Sequence, residues 1–488
     1  MLRIYLDILG LLFASLGGLI FVFYPPRPFY DDKTVDGYSL TAFGSKTSYK
    51  NHGLKSAHPS LLSGKRLVHI NALFRHGTRS PDMDFMTKMA ALRTRLQQYL
   101  PNLDFPLESG GNASKVLLPS GVEELAQLGI RFRNIVPDSF RLASGALVVS
   151  SQTERTLKSA RAFISKFFDE EVPITEDSER LRFFAYCTNY IEGIRKNKTV
   201  RSEYYKFRDG AAMNRVLAEV ISDYNLENMN LTTDDLSDIH KMAGHEVAAM
   251  KPQSPLPGWV RLFRPGHLYV LEYLSDLKQY WTKANPFPIN YEQVCPLWGA
   301  IMEDLLKAAT HDRDLLVAQQ HGGGGGGDRG AEGDSSVSQP HRRSVFWFGH
   351  AETLLPLVIK LGLFNESVAT ESGGGEHLMA SGFESRLRRL RLEDLPVHNL
   401  FRSSHIIPFA GNIAFLLFHC PEAGEEPSLD HYCVEVRLNE QVVEIIPELR
   451  DAPRPLRLPR LLDFFKACLP TTYNQAALCD RRTPSYSP

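Results

Sequence analysis

The 488-residue sequence is poor in the features that announce many function classes. It has no surplus of charge: 55 Lys and Arg stand against 56 Asp and Glu, a net charge of −1 with a sequence pI near 7.0. No overall field therefore favours nucleic acid or membrane headgroups, and a nucleic-acid partner is not expected. Any site for a densely charged ligand has to be a local basic pocket. Cysteine is scarce and lacks the Cys-x-x-Cys spacing of zinc or dithiol redox work. No aspartate-rich metal cluster stands out, so neither a metal nor a cofactor is expected. Six consecutive glycines lie within His321 to Arg343, but they carry no Gly-Lys-Ser/Thr and open no apolar helix, which excludes a phosphate-cradling loop. Such a run cannot offset its ordering entropy and reads as a disordered, solvent-exposed loop over 321–343.

Long apolar stretches are also rare; the notable one is Ile8 to Tyr24, 17 uncharged residues ended by Pro25-Pro26-Arg27. That length lies at the lower limit for a spanning helix and above an ordinary signal core, so 1–30 reads as a signal anchor in preference to a cleaved signal peptide. Either outcome directs the rest of the chain to the secretory lumen, the cell surface or the outside, with residues 8–24 as the one membrane attachment. The C-terminal residues show no retrieval signal and no hydrophobic tail, so the sequence gives no ground for claiming retrieval or a lipid anchor. An even set of six cysteines, Cys187, Cys295, Cys420, Cys433, Cys468 and Cys479, suits that compartment as disulfides. Closeness along the chain pairs Cys420 with Cys433, Cys468 with Cys479 and Cys187 with Cys295. Glycosylation sequons occur at Asn112, Asn197, Asn230 and Asn365.

What is present is concentrated in one heptapeptide, Arg75-His76-Gly77-Thr78-Arg79-Ser80-Pro81. Two permanently cationic, planar guanidiniums flank a histidine, an unfavourable gathering unless an anion joins it. The same arginines would repel a divalent cation, so His76 reads as a reactive nitrogen and not as a metal ligand. Leu67 to Phe74 is apolar and β-branched enough for a buried strand; Pro81 suits the first turn of a helix whose apolar face is Phe85, Met86, Met89, Leu92, Leu96 and Tyr99. The heptapeptide thus falls in a strand-to-helix loop, where open α/β sheets place ligands. Background composition would produce Arg-His-Gly-x-Arg-x-Pro in such a chain with odds on the order of one in ten thousand.

The unit repeats. Ala146 to Val149 reads as a strand and Glu154 as the start of a helix, which puts Arg155 at a helix N-terminus that favours an anion. Ser344 to Phe348 is a third strand, followed by Gly349-His350-Ala351-Glu352 and a helix from Thr353 to Leu361. Glu352 supplies the proton donor that an arginine site lacks. A phosphomonoester needs these parts: Arg75, Arg79, Arg155 and His350 for the oxygens, His76 to attack phosphorus, Glu352 to protonate the leaving alkoxide. The product of the first step would be a phosphohistidine, hydrolysed with Glu352 as base.

These residues resemble the histidine acid phosphatase family, in the branch resembling multiple inositol polyphosphate phosphatases. The branch rests on Phe74 to Pro81 and on His350-Ala351-Glu352-Thr353, where many relatives have His-Asp. The likeness runs from about residue 35 to about 480 and includes the helix start Ser120-Gly121-Val122-Glu123, itself readable as a capping box, and the segments Ile407 to Phe418 and Tyr432 to Ile446. The resemblance implies the roles just deduced. The expected fold is α/β: a mostly parallel sheet flanked by helices, phosphoglycerate-mutase-like, from 31–169 and 344–488. Helical periodicity in Leu217, Val220, Ile221, Tyr224 and in Leu268, Val270, Leu271, Leu274, Leu277 marks 170–320 as a helical insertion standing over the strand ends. The expected function is hydrolysis of inositol polyphosphates, from the hexakisphosphate downward, as a phytase does. The alternatives are an acid phosphatase for other phosphoesters such as phosphoglycerates, and a non-catalytic surface-binding protein of the same fold.

Overall fold

Ten residues, Arg66–Arg75, form the central strand β1, with every position after Arg66 buried. The computed structural model describes residues 30–54, 62–107, 114–321, 342–364, 378–379, 381, 401–421, 426–445 and 455–480. The apolar run Ile8 to Tyr24, residues 322–341 of the glycine-rich segment, and the sequons at Asn112 and Asn365 lie outside them. β1 leads to α1 (Met83–Tyr99) and α2 (Pro119–Asn134), then β2 (Ala146–Ser150), α3 (Glu154–Phe167) and β3 (Ile174–Glu176). A helical stretch follows, its longer members α4 (Ala211–Tyr224), α5 (Thr233–Ala249), α6 (Pro265–Lys283) and α7 (Cys295–His321). The chain returns to the sheet through β4 (Ser344–Gly349), α8 (Ala351–Lys360), β5 (Asn412–His419), β6 (Tyr432–Leu438) and β7 (Gln441–Val443).

The seven strands lie in the order β7-β6-β5-β1-β4-β2-β3. The α/β fold is as expected, but the sheet is mixed and not mostly parallel: the three pairings of β1-β4-β2-β3 are parallel and the three of β1-β5-β6-β7 antiparallel, because the last strands, β5, β6 and β7, follow one another without a helical crossover. Alternation along the strands divides the core in two. Phe74, Phe346 and Phe348 meet Phe132 of α2 and Phe163 and Phe167 of α3 on one face, with the Phe74 and Phe163 rings 4.6 Å apart. Leu73, Val345, Trp347, Ile413 and Phe415 face the other way into a core shared with α5, α6 and α7.

Local chemistry shifts some expected boundaries. Pro81 stays outside its helix, which begins at Met83 with Asp82 as N-cap accepting from the Phe85 N–H at 3.1 Å. An aspartate cap satisfies a free helix N–H, which proline cannot. The capping box expected from Ser120 to Glu123 does not form. Pro119 takes the first position of α2 behind Leu118, the Ser120 hydroxyl is buried without a partner, and Glu123 bonds Gln127. Proline wins there because its missing N–H is one that a helix start leaves unpaired. The third helix of the motif set begins earlier than expected, at Ala351, which makes His350 its N-cap.

The disulfides correct the pairing expected from chain proximity. Cys187 bonds Cys479 and Cys295 bonds Cys468, joining the helical stretch to the last described residues. The C-terminal segment folds back across the helices: Asn189 donates to the Leu478 carbonyl at 2.7 Å, and the Gly299 backbone packs on Cys468. Cys420 and Cys433 remain buried thiols, in hydrogen-bond contact at diagonal positions of the β5–β6 ladder. Asn230 is exposed in a left-handed turn and Asn197 is half-buried. Among the described residues no helix is long and apolar enough to cross a membrane.

Candidate active site

Because β4 lies between β1 and β2, three loops leave adjacent strands at one edge, and backbone hydrogen bonds lock them in register. His76 N–H donates to Gly349 O (3.0 Å), Ser151 N–H to Phe348 O (3.1 Å) and Arg75 N–H to Gly411 O (2.8 Å). The His76 carbonyl accepts from Ala410, a residue held at φ 58°, a left-handed conformation costly for any side chain. Arg75, His76, Arg79, Arg155, His350 and Glu352, spread over nearly 280 residues of sequence, converge here.

The loop after β1 is braced by backbone contact. A Cβ on Gly77 would meet Gly121 O at 2.3 Å, and one on Gly121 would meet Thr78 O at 2.2 Å. Only glycine at both places lets the catalytic loop lie on the first turn of α2. One turn on, Glu124 enters the core and accepts from the Thr78 N–H (2.8 Å), the Thr78 hydroxyl (3.0 Å), the Tyr49 N–H (3.0 Å) and the Ser48 hydroxyl. Sequence reasoning missed Glu124 because its neighbour Glu123 fitted a capping pattern.

The tautomer of His76 is fixed by its loop. Nδ1 lies 2.9 Å from Gly77 O, and a carbonyl only accepts, so Nδ1 carries the proton and Nε2 keeps its lone pair. Burial first, then Arg75, Arg155, His350 and Arg79, holds its pKa well below the ordinary value. His350 stands 5.6 Å away, ring to ring. Its Nδ1 accepts from Arg155 (3.3 Å), so its Nε2 donates to Ser151 Oγ (3.0 Å). Burial and then Arg155 push it to about 3, which keeps the ring neutral.

The three arginines are packed for an anion. Arg75 is buried, gives Nη1 to Ser45 O (2.8 Å) and Ile407 O (2.5 Å), and lies 4.4 Å from the Phe409 ring centroid. Arg79 donates to Ser80 O at 2.6 Å, and its carbonyl accepts from His245 of α5 at 3.2 Å. The Nε atoms of Arg75, Arg79 and Arg155 are all buried without a partner. Buried donors are nearly always satisfied, so three orphans around one imidazole point to a ligand with several acceptor oxygens. Desolvation depresses Arg75 to about 9 and Arg155 to about 10.

Glu352, in the first turn of α8, faces this cluster with its side chain 37 % exposed and so within reach of solvent. Its Oε1 lies 3.1 Å from Nζ of Lys283, the last residue of α6. Burial pushes the carboxyl up, but Lys283 and His350 outweigh it and hold Glu352 well below the usual carboxylate range.

More cations line the adjoining wall. Lys46 lies within electrostatic reach of Arg79, Arg75, Lys241 and Glu352; Lys241 of α5 and Lys278 of α6 extend the series. None of the three makes an ion pair among the described residues. Desolvation, then Lys283 and Lys241, pushes Lys278 to about 8, and burial followed by Arg79 and Arg75 holds Lys46 well below the ordinary lysine value. Helix α5 positions this wall: His240 donates to Ala42 O at 2.7 Å, and Gly244 lets the 43–46 segment approach, since its Cβ would lie 2.9 Å from both Phe43 and Lys46. Among the described residues no group of three His, Cys, Asp or Glu is placed to hold a metal ion.

Comparison with known proteins gives the family. The model of the histidine phosphatase superfamily (branch 2) matches residues 66–439. Multiple inositol polyphosphate phosphatase 1 of Homo sapiens is 26% identical over 449 residues, covering 83% of this chain and 82% of that protein. The Gallus gallus protein of the same name is 27% identical over 388 residues, covering 77% and 76%. Among solved structures, Bifidobacterium longum multiple inositol polyphosphate phosphatase in complex with inositol hexasulfate superposes with a TM-score of 0.59 at 12% identity, covering 89% of this chain and 98% of that one. The phytase from D. castellii gives 0.58 at 14% identity, covering 96% and 93%. At those identities the structural matches speak for the fold, and the family match spans all three loops. The chain belongs to branch 2 of the histidine phosphatase superfamily, and it is a phosphatase.

Proposed function

We propose that this phosphatase hydrolyses inositol polyphosphates, the hexakisphosphate and lower phosphates, through a phosphohistidine on His76. The observation that carries the substrate class is the lysine wall. One phosphoryl group is matched by Arg75, Arg79 and Arg155; Lys46, Lys241 and Lys278 are surplus to it and stand without ion-pair partners among the described residues. A substrate with several phosphates on one small ring would neutralise both sets at once. The relatives' names, multiple inositol polyphosphate phosphatase 1, support the same class.

In the proposed cycle His76 Nε2 attacks phosphorus in line while Gly77 O retains the Nδ1 proton. The arginines hold the equatorial oxygens, their free Nε–H groups among the donors. His350 keeps Arg155 aimed; a phosphate entering between them would accept from Arg155 in place of Nδ1, and from Nδ1–H itself once the imidazole proton shifts there and Ser151 Oγ turns to donate to Nε2. Glu352 protonates the departing alcohol oxygen, then takes a proton from the water that hydrolyses the phosphohistidine. The α/β portion, 31–169 and 344–488 with the edge strand β3 added to it, supplies this chemistry and Lys46, and the helices of 170–320 contribute Lys241 and Lys278 of the wall that selects the substrate. We place the protein in the secretory pathway, a reading supported by two disulfides and by sequons at Asn197 and Asn230 on the accessible surface.

The test is incubation of purified protein with inositol hexakisphosphate, with products resolved over time. Stepwise loss of phosphate is expected. An intact hexakisphosphate beside active hydrolysis of a simple monoester would overturn the substrate class and favour a phosphatase for singly charged esters.

A further inference from the structure

The resting site holds its proton donor in the wrong state. To protonate a leaving alkoxide Glu352 has to be a carboxylic acid, yet Lys283 pairs with it at 3.1 Å and the groups facing it are cationic or neutral. They are His350 on its own loop, Arg75 and Arg79 beyond β1, Arg155 on α3, Lys46 before β1, and the Tyr190 hydroxyl. A phosphate on the arginines would cancel part of that field and leave the direct Lys283 contact in place. Something has to remove the ammonium.

The architecture around Lys283 suits a side chain that changes partner on a backbone that does not. The end of α6 is pinned: Tyr190 donates to Thr282 O at 3.0 Å, and Asn290 donates to Trp281 O at 3.2 Å and Ala284 O at 2.9 Å. Among the described residues the ammonium is held by Glu352 and by Gln279 Oε1 at 2.7 Å, at the end of a four-carbon stem. Lys278 is close enough to repel it, and with Lys241 and Lys46 it continues a cationic surface on which a second phosphate would settle.

We infer that Lys283 is a positioning residue whose hold on Glu352 is exchanged for a substrate phosphate, so that a polyanion turns Glu352 from a paired carboxylate into an acid. The inference rests on the polyphosphate reading above. When a phosphate next to the scissile one draws Lys283 away, Glu352 takes up a hydronium proton from the solvent that reaches it. That proton passes to the bridging oxygen as the P–O bond breaks and the P–N bond to His76 forms, leaving Glu352 ionised. The carboxylate regains a proton from the water that cleaves the phosphohistidine, and gives that proton back to solvent when Lys283 returns after product leaves. A single-phosphate ester makes no such exchange, so selection for polyphosphates appears in the chemical step as well as in binding.

Lys283→Met and Lys283→Arg, with pH profiles of kcat/KM on three substrates, test this. Glycerol 2-phosphate has one phosphate and an alcohol that needs a proton; p-nitrophenyl phosphate has a leaving group that departs without one. In Lys283→Met, kcat/KM for glycerol 2-phosphate at pH 5 should rise about tenfold and gain an alkaline limb in the carboxylic-acid range, as Glu352 titrates without its partner. The aryl ester should gain at most about a fifth of that, the preference for inositol hexakisphosphate over glycerol 2-phosphate should narrow about tenfold, and Lys283→Arg should restore the unmodified profile. An unmoved profile on glycerol 2-phosphate, or a uniform fall on all three substrates, would overturn the inference and leave Lys283 an ordinary helix-end cation. An unmodified protein that cleaves glycerol 2-phosphate and leaves inositol hexakisphosphate intact would instead remove the polyphosphate reading, a result that a shifted Lys283→Met profile does not mimic.

Discussion

The loop after β1 and the lysine wall opposite present cations to the same space, and they are built in opposite ways. The loop is held by main chain: ladder hydrogen bonds to Gly349 and Gly411, glycine-on-glycine contact with α2, and the buried Glu124 carboxylate gathering four donors. The wall is held by side chains on separate elements, the 43–46 segment, α5 and α6, and the helical stretch is tied to the chain end by two disulfides. Chemistry needs fixed atoms, whereas selection of a polyanion needs only charges in range. Coulombic attraction falls slowly with distance, and in-line attack does not tolerate a misplaced atom.

The rigid side should give the largest effects. His76→Ala should lower phosphate release by at least about a thousandfold on every substrate, single-phosphate esters included. Retained turnover on p-nitrophenyl phosphate would mean that another group attacks phosphorus. Glu124→Ala, which touches no substrate, should cost about 3 kcal/mol in urea unfolding and lower kcat more than it raises KM, because four buried donors lose their acceptor and the loop relaxes. A variant of full stability and activity would show that the glycine contacts suffice.

The wall should respond more gently. His240 is buried neutral with a pKa lowered from 6.5 to about 4 by desolvation, and it anchors the Lys46 segment through Ala42. The unfolded chain binds the proton that the folded one refuses, so stability is full above about pH 6.5 and falls as pH drops toward 4. The loss from pH 7 to pH 5 should be about 2 kcal/mol and should vanish in His240→Gln. Equal pH slopes for both proteins would place the acid sensitivity elsewhere. Smallest, Lys241→Met should raise KM for inositol hexakisphosphate about tenfold and change a single-phosphate ester by less than about threefold. Equal effects on both would merge wall and loop into one site.

The same division explains what could be read from the sequence. Arg75 to Pro81 declared itself because its residue types are local, rare in combination and set between a buried strand and a helix. Arg155 and Glu352 followed from the repeat of that unit. Lys46, Lys241, Lys278 and Lys283 left no such trace: a lysine on a helix normally reads as solvated, and only the fold brings these four, from separate elements, within electrostatic range of one another and of the arginines. The disulfides failed for a related reason, since chain neighbours were taken as space neighbours and the C-terminal segment crosses back over the helices. The antiparallel half of the sheet was hidden too, because a buried strand reads the same whichever way its neighbour runs.

The placement of β1 also bears on how the protein is made. Its Ile70 pairs with Ser344 of β4 and with Leu416 of β5, so the strand that leads into His76 has no neighbour in the sheet until about 270 more residues of chain exist, and both neighbours only after about 345. At ribosomal rates that is a wait on the order of tens of seconds. During it, one of the most apolar segments of the molecule needs shelter, from the nascent helices or from chaperones. Truncations that stop short of β5 should accordingly aggregate, and the enzyme becomes competent only when nearly the whole chain has emerged.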